Sequence, residues 1–453
     1  MTEYPKFEIE DDKMSSYQWT AIGVCVVLNM LDGFDILVMA FTANSVKAEW
    51  GLSAGQLGVL LSAGLLGMAI GALFLAPWGD RIGRRKLVIS CVGIATVGMV
   101  GAALAQDEVQ LGLMRVLTGL GVGGLLSCTN VLASEYSSPR WRGLAVSLQT
   151  TGFTVGATVG GLAAVFLIDS WGWRSVFFVG AALSLASLIL VAWRLPESVD
   201  FLLGSGAADA LDRINEIARR AGKTPLTSLP TRAPKATTNQ ARFPALLTAS
   251  LRRHTLTLWL LFLIMLFTYY FVTSWSPQLL ITAGMSPSRG LTGGVLLNIG
   301  GVIGTLLFGF LSARIPVGRV LAAAMFTTVG LLMAFPAALS SLGVALLSGL
   351  LMGMCISGCI AGLLATAALA YPTNIRATGV GSAIGIGRAG AIASPLIVGA
   401  LIDIGWTPAQ LYLAAAALVL VAAGAALSLR AGGTASDPEP PTVTATAAAP
   451  TTA

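Results

Sequence analysis

Apolar stretches of about 20 residues recur along nearly the whole 453-residue chain, roughly twelve in all, and each is long enough to cross a bilayer as a helix. Only 11% of the residues are charged and 55% are hydrophobic, with a mean hydropathy of +0.81. An average soluble domain carries roughly 25% charged residues, so this is the composition of an integral membrane protein. The apolar runs are continuous rather than alternating, which excludes an outer-membrane barrel and predicts an all-α bundle. The net charge of +6 would suggest nucleic acid in a soluble protein, but most Lys and Arg fall between the spans, where topology accounts for them.

The basic residues set an orientation. Arg81, Arg84, Arg85 and Lys86 follow the second span, Arg140 and Arg142 follow the fourth, and a long basic series fills 196–254, whereas the alternate loops offer only Lys47, Arg174 and Arg289. Both termini and the even-numbered loops are therefore expected on the cytoplasmic side of a bacterial inner membrane. The predicted organisation is a polar tail over 1–17, a six-span half over 18–195, a central loop over 196–254, a second six-span half over 255–430, and a Thr/Ala/Pro tail over 431–453. Within the loop, Leu211, Ile214 and Ile217 make an apolar stripe that predicts a short interfacial or cytoplasmic helix. Residues 222–240 read as linker. The acidic start, with Glu8, Glu10, Asp11 and Asp12, does not resemble a signal peptide, so the first span is expected to remain. A weak repeat offset by about 235 residues relates Tyr136 to Tyr371, each followed by an Arg-bearing loop and a Gly-rich span. Two related halves place a substrate site between them, near the membrane midplane.

Asp32 and Asp35 lie in the middle of the first span, where a charge costs at least about 2.5 to 3.5 kcal/mol. Three residues apart, they share one helix face, with Asn29, a candidate substrate contact, one turn earlier. Among the basic residues only Arg115 and Arg388 fall well inside a span, and the four make a set that is neutral when all are ionised. A monoanionic substrate entering that set is balanced by one proton on an Asp, the charge logic of an anion:proton symporter. The planar fork of Arg388 suits a carboxylate, and an interhelical ion pair is the structural alternative. Arg115 has the same two readings: a part in proton coupling and substrate attraction, or a partner that holds an Asp of the first span. Gln149, Tyr269, Tyr270 and Asn298 add polar groups at mid-span depth as candidate substrate contacts, the tyrosines with the alternative of simple packing. Trp171 and Trp275 are expected as membrane-interface anchors, and Asp169 and Asp403, near span ends, are expected to face water.

The five cysteines fall in apolar segments, so a disulfide framework is not expected, and the single histidine, His254, leaves no metal-ligand set or catalytic triad to propose. No enzyme activity and no cofactor other than protons is expected.

The run Asp80-Arg81-Ile82-Gly83-Arg84-Arg85-Lys86 resembles the signature loop of the major facilitator superfamily, although Ala76 stands where that pattern usually begins with Gly. The resemblance implies twelve helices in two pseudo-symmetric halves. It also implies a gate in which Asp80 can cap a helix of the other half while the arginines bridge neighbouring helices. Asp32-Gly33-Phe34-Asp35 is similar to the motif of the aromatic acid:proton symporters within that superfamily. So are Leu113-Met114-Arg115, Ser134-Glu135-Tyr136, Leu195-Pro196-Glu197-Ser198, Tyr371-Pro372-Thr373, Arg376-Ala377-Thr378-Gly379 and Gly385-Ile386-Gly387-Arg388. It implies coupling and transport roles for Asp32 and Asp35, and functional weight for Asp80, Arg84, Arg115, Glu135, Arg376 and Arg388. Arg81, Arg85 and Arg142 join the expected gating set. Histidines found in later spans of some relatives are missing, which leaves the carboxylates as proton carriers. The expectation is import of a small aromatic carboxylate with protons, by a protein functional as a monomer in membrane lipid. A non-aromatic acid such as a muconate or shikimate, proton-driven efflux of hydrophobic or cationic compounds, and a non-transporting sensor are the competing readings.

Overall fold

Serine caps and glycine stops set the ends of the first helices. Ser15 and Ser53 each form a capping box, with Gln18 and Gln56 respectively, and Gly51 ends the first helix in the left-handed conformation at φ 63°. The computed structural model describes residues 14–138, 140–205, 209–223, 225–228, 243–249, 251–338, 341–372 and 375–431. The acidic start before residue 14, most of the linker over 222–240, Thr373 and the tail beyond 431 lie outside the described residues.

The first half comprises α1 (Ser16–Trp50), α2 (Ala54–Phe74), a 3-10 turn (Ala76–Trp78), α3 (Gly79–Ile82), α4 (Arg84–Ala103), α5 (Glu108–Glu135), α6 (Arg142–Trp171) and α7 (Trp173–Arg194). The central segment carries α8 (Val199–Ser205), α9 (Ala210–Arg220) and a 3-10 turn (Phe243–Leu247). The second half comprises α10 (Arg252–Thr282), α11 (Pro287–Ser312), α12 (Val317–Ala338), α13 (Leu342–Ala370), α14 (Arg376–Asp403) and α15 (Pro408–Ala431). Twelve of the described helices are long and apolar enough to span a membrane. At 35 residues and about 50 Å, α1 is longer than the roughly 20-residue apolar stretch it contains, because its caps, not that stretch, end it.

The halves repeat one packing scheme. In the first, α1 packs on α6, α2 on α5, and α4 on both α5 and α7; in the second, α10 packs on α14, α11 on α13, and α12 on both α13 and α15. Tyr136 and Tyr371 follow α5 and α13, which occupy equivalent places in the two schemes. Between the halves, α2 meets α14, α6 meets α11, and α1 meets α10. We call the end that carries α3, the central segment and the start of α1 proximal, and the opposite end distal.

Backbone-to-backbone approach holds α1 against α6. A Cβ on Gly33 would overlap the Phe153 peptide, and one on Gly156 would overlap Met30, so the segment bearing Asp32 and Asp35 lies directly on its neighbour. Outward-facing Leu73, Phe74, Val97, Phe166, Leu306, Phe310 and Val421 are exposed, as lipid-facing positions should be. On α9, the stripe expected of a short interfacial or cytoplasmic helix packs on protein: Ile214 and Ile217 are buried in a cluster with Leu87, Val88, Leu195 and Leu202. Trp171 is 72% exposed, consistent with an anchor, but Trp275 is 1% exposed and belongs to the core. The anchor reading of Trp275 fails because α10 turns that face toward the bundle interior.

Candidate functional site

Asp32, Asp35 and Arg115 are buried, and the structure pairs only two of them. Arg115, from α5, donates from Nη1 to Asp35 Oδ1 at 2.6 Å and from Nη2 to the Asp35 backbone carbonyl at 2.7 Å. Gly64 on α2 makes room for the guanidinium, since a Cβ there would sit 2.9 Å from Nη2. Of the two readings of Arg115, the structure shows the contact that the second requires, a partner for an Asp of the first span, and leaves only its Nε unpartnered. A cavity of about 10 Å³, room for about one water, lies beside the pair.

Asp32 has neither oxygen hydrogen-bonded, although the residue is 2% exposed. Asp35 of the same helix lies within electrostatic range of it, as do Arg388 of α14 and Tyr270 of α10, which are also within range of each other, so both halves contribute to its surroundings. Arg388 Nη1 is likewise buried without a hydrogen-bond partner. A second cavity of about 30 Å³ lies between α1, α4, α5 and α7, lined by Asp32, Asp35, Thr118 and Ser184 among others, and gives both carboxylates a common water-sized space.

The neutral amides are engaged locally. Asn29 donates to the backbone carbonyl of Gln149 at 2.5 Å, and Gln149 donates to Thr129 Oγ1 at 3.4 Å; the carbonyl oxygen of each amide has no partner. Asn298 donates to Gly294 of its own helix at 2.9 Å. Tyr269 and Tyr270 meet edge to face, ring centroids 5.3 Å apart, so Tyr269 adjoins the site through its neighbour.

The expected gating residues do not form one cluster. Arg84 bonds Glu135 and donates to Ser198 Oγ at 3.0 Å; the Arg85 backbone N–H donates to Glu197 Oε1 at 2.9 Å, and its Nη2 donates to the Ala192 carbonyl at 2.6 Å. The Tyr136 hydroxyl donates to the Glu197 carbonyl at 2.6 Å, and burial pushes that phenol up, which keeps it a donor. All these bonds stay within the first half and its α8 connection. Asp80 is 81% exposed and only 3.6 Å from Arg84, so it caps no helix of the second half in this conformation. Arg81, Arg142 and Arg376 are exposed. The described inter-half hydrogen bonds lie toward the distal side. Ser62 Oγ donates to the Ile392 carbonyl at 2.8 Å, and Asp403 accepts from Ser53 and from the Ala54 and Gly55 backbones. Asp403, expected only to face water, is exposed and yet spans the two halves. Sequence reasoning also passed over Glu197 as a network member. The signal for Asp403 was an acid at the C-terminal end of a helix, where its charge opposes the dipole.

A distal seam closed between α2 and α14, an unlatched proximal loop and ionisable groups within range of each other between repeated six-helix halves describe an alternating-access carrier. The profile of the Major Facilitator Superfamily matches residues 22–341. The chain is 37% identical over 399 residues to a gallate transporter of Pseudomonas putida, covering 88% of each chain. It belongs to the major facilitator superfamily, within its aromatic-acid transporter family. The facilitator is also 33% identical over 411 residues to the 4-hydroxybenzoate transporter PcaK of Pseudomonas aeruginosa, covering 90% of this chain and 91% of that one. Its fold is that of a bacterial homolog of the human lysosomal transporter Spinster, solved in an inward-facing and unoccupied conformation. The two align with a TM-score of 0.72 at 18% identity, over 92% of this chain and 98% of the other. A D-xylose-proton symporter aligns with a TM-score of 0.71 at 18% identity, over 91% of this chain and 97% of that one. The relatives' names are those of transporters, and among the described residues no group of His, Cys, Asp and Glu could hold a metal ion.

Proposed function

We propose that this multi-pass membrane protein imports an aromatic carboxylate of the hydroxybenzoate type together with protons, by alternating access. The observation that carries the reading is Asp32, a buried carboxylate with no hydrogen-bond partner, facing Arg388 and Tyr270 of the other half. The names of the gallate and 4-hydroxybenzoate relatives support the aromatic-acid class. The substrate carboxylate pairs with the Arg388 guanidinium, and the Tyr269–Tyr270 edge offers a face for the ring. Once Arg388 is engaged by substrate, its field no longer favours the ionised Asp32, which takes a proton. The added anion and the added proton cancel, so the loaded site stays neutral as the halves rock over it. Asp35 remains paired with Arg115 and holds α1 against α5 throughout the cycle.

The basic proximal loops and both termini lie in the cytoplasm, in a bacterial inner membrane. The halves over 18–195 and 255–430 move as the two bodies, tethered by 196–254. The protein works as a monomer, with protons as its coupling ion and no other cofactor.

Uptake of labelled 4-hydroxybenzoate and gallate into proteoliposomes tests this. An inward proton gradient is expected to drive accumulation that an uncoupler abolishes. Asp32→Asn is expected to lose accumulation while retaining substrate counterflow. Accumulation that survives either the uncoupler or the substitution overturns the coupling claim.

A further inference from the structure

Asp403 is the last residue of α14, where the unpaired carbonyls of the helix disfavour a negative charge. Its carboxylate is placed to act on another helix. Oδ1 accepts from the Ala54 N–H at 2.8 Å, and Oδ2 accepts from the Gly55 N–H at 2.8 Å and from Ser53 Oγ at 2.9 Å. These are donors of the first turn of α2, in the other half. Ser53 itself satisfies the Gln56 N–H, so the α2 N-terminus is capped jointly by its own serine and by a carboxylate that arrives across the inter-half seam. Lys47 of α1 is within electrostatic range of the same carboxylate.

The seam is shaped for this contact. A Cβ on Gly55 would stand 2.7 Å from Asp403 Oδ2, and one on Gly399 would overlap the Ala54 carbonyl, so both helices carry glycine where they converge. At the other end of the same antiparallel pair, Asp80 lies near the end of the span begun by α2, has a side chain 81% exposed and lies 3.6 Å from Arg84. The α2/α14 pair thus carries one carboxylate at each diagonal corner, and in this conformation only the distal one is engaged.

We infer that Asp403 is a positioning residue of the transport cycle: its cap on α2 latches the distal side shut, and the latch must release before the site can open there. The inference rests on the alternating-access reading above. Breaking the cap favours the distally open state without altering Asp32 or Arg388. Because the cap is made by charge and two backbone donors, the isosteric amide of Asp403→Asn weakens it. Gly55→Ala displaces the carboxylate while leaving Asp403 in place, and alanine is the better helix former, so loss of α2 does not confound the result.

The test is a distance measurement between spin labels at Gln106→Cys and Arg289→Cys, exposed distal positions in opposite halves, in a Cys355→Ser background where the remaining cysteines are buried. Both variants are expected to raise the long-distance, distally open population about fivefold. In uptake assays the external KM is expected to fall about threefold and the maximal rate to fall as well, since the return step must re-form the latch. Asp403→Glu is expected to restore part of the closed population. An unchanged distance distribution in both Asp403→Asn and Gly55→Ala overturns the proposal, as does a shift in Gly55→Ala alone, which assigns the seam to steric packing. The distance readout needs no substrate, so a failure of aromatic-acid uptake in the unsubstituted protein breaks the functional reading and leaves the latch to be judged separately.

Discussion

Two Asp–Arg combinations lie within the first span's reach, and they differ in kind. Asp35 and Arg115 belong to one half, meet through two short hydrogen bonds and are both buried. Asp32 and Arg388 belong to opposite halves and feel each other's charge with no bond between them. A pair inside one rigid half keeps its geometry through the cycle and serves as structure. A pair divided between two moving halves changes distance with each swing, and can be loosened by a third charge. Under the proposed mechanism this difference gives coupling to Asp32 and scaffolding to Asp35, although the two residues are one turn apart on the same face.

The largest expected effect comes from breaking the closed pair. Arg115→Ala leaves the Asp35 carboxylate buried without its partner, and is expected to destabilise the protein by about 3–5 kcal/mol, read as a fall in the thermal unfolding midpoint in detergent. The double variant Arg115→Ala with Asp35→Ala is expected to recover part of that loss. If Arg115→Ala unfolds at the unsubstituted temperature, the scaffolding role is wrong. Next in size is Arg388→Ala, where loss of a charge-assisted contact is expected to raise KM for every aromatic acid by about 10–100-fold with the unfolding midpoint unchanged. An unfolding shift as large as that of Arg115→Ala would erase the contrast between the two arginines. The smallest effect separates adjacent tyrosines: Tyr270→Phe is expected to raise KM by about 2–10-fold, and Tyr269→Phe to leave it nearly unchanged, because only Tyr270 lies within range of both Asp32 and Arg388. Equal effects would indicate that both rings contact substrate through their faces alone.

How far the site could be read in advance depended on the kind of information each residue carries. The four intramembrane charges were identifiable one by one, because a charge within an apolar run is anomalous wherever it sits. Their partition into a closed pair and an open one was not, since the same alternation of Asp and Arg permits either arginine to meet either aspartate. Asn29, Gln149 and Asn298 were legible as buried polar groups, yet the partners of their amides were decided by neighbouring backbone, in Asn29's case on another helix. Trp275 reads as an interface anchor by its position near a span end, and only the rotation of α10 places it in the core.

By itself the chain determined its membrane class, the number and rough extent of its spans, and the presence of two carboxylates and two guanidinium groups at depth. Each of these follows from local composition against the cost of burying charge in hydrocarbon. Tertiary structure alone decided that Arg115 closes on Asp35 across 80 residues, and that Asp403 caps a helix starting about 350 residues before it. Such contacts depend on which helix faces the packing brings together, and on glycines that let backbones approach closely enough for a side chain of one helix to reach the N–H groups of another.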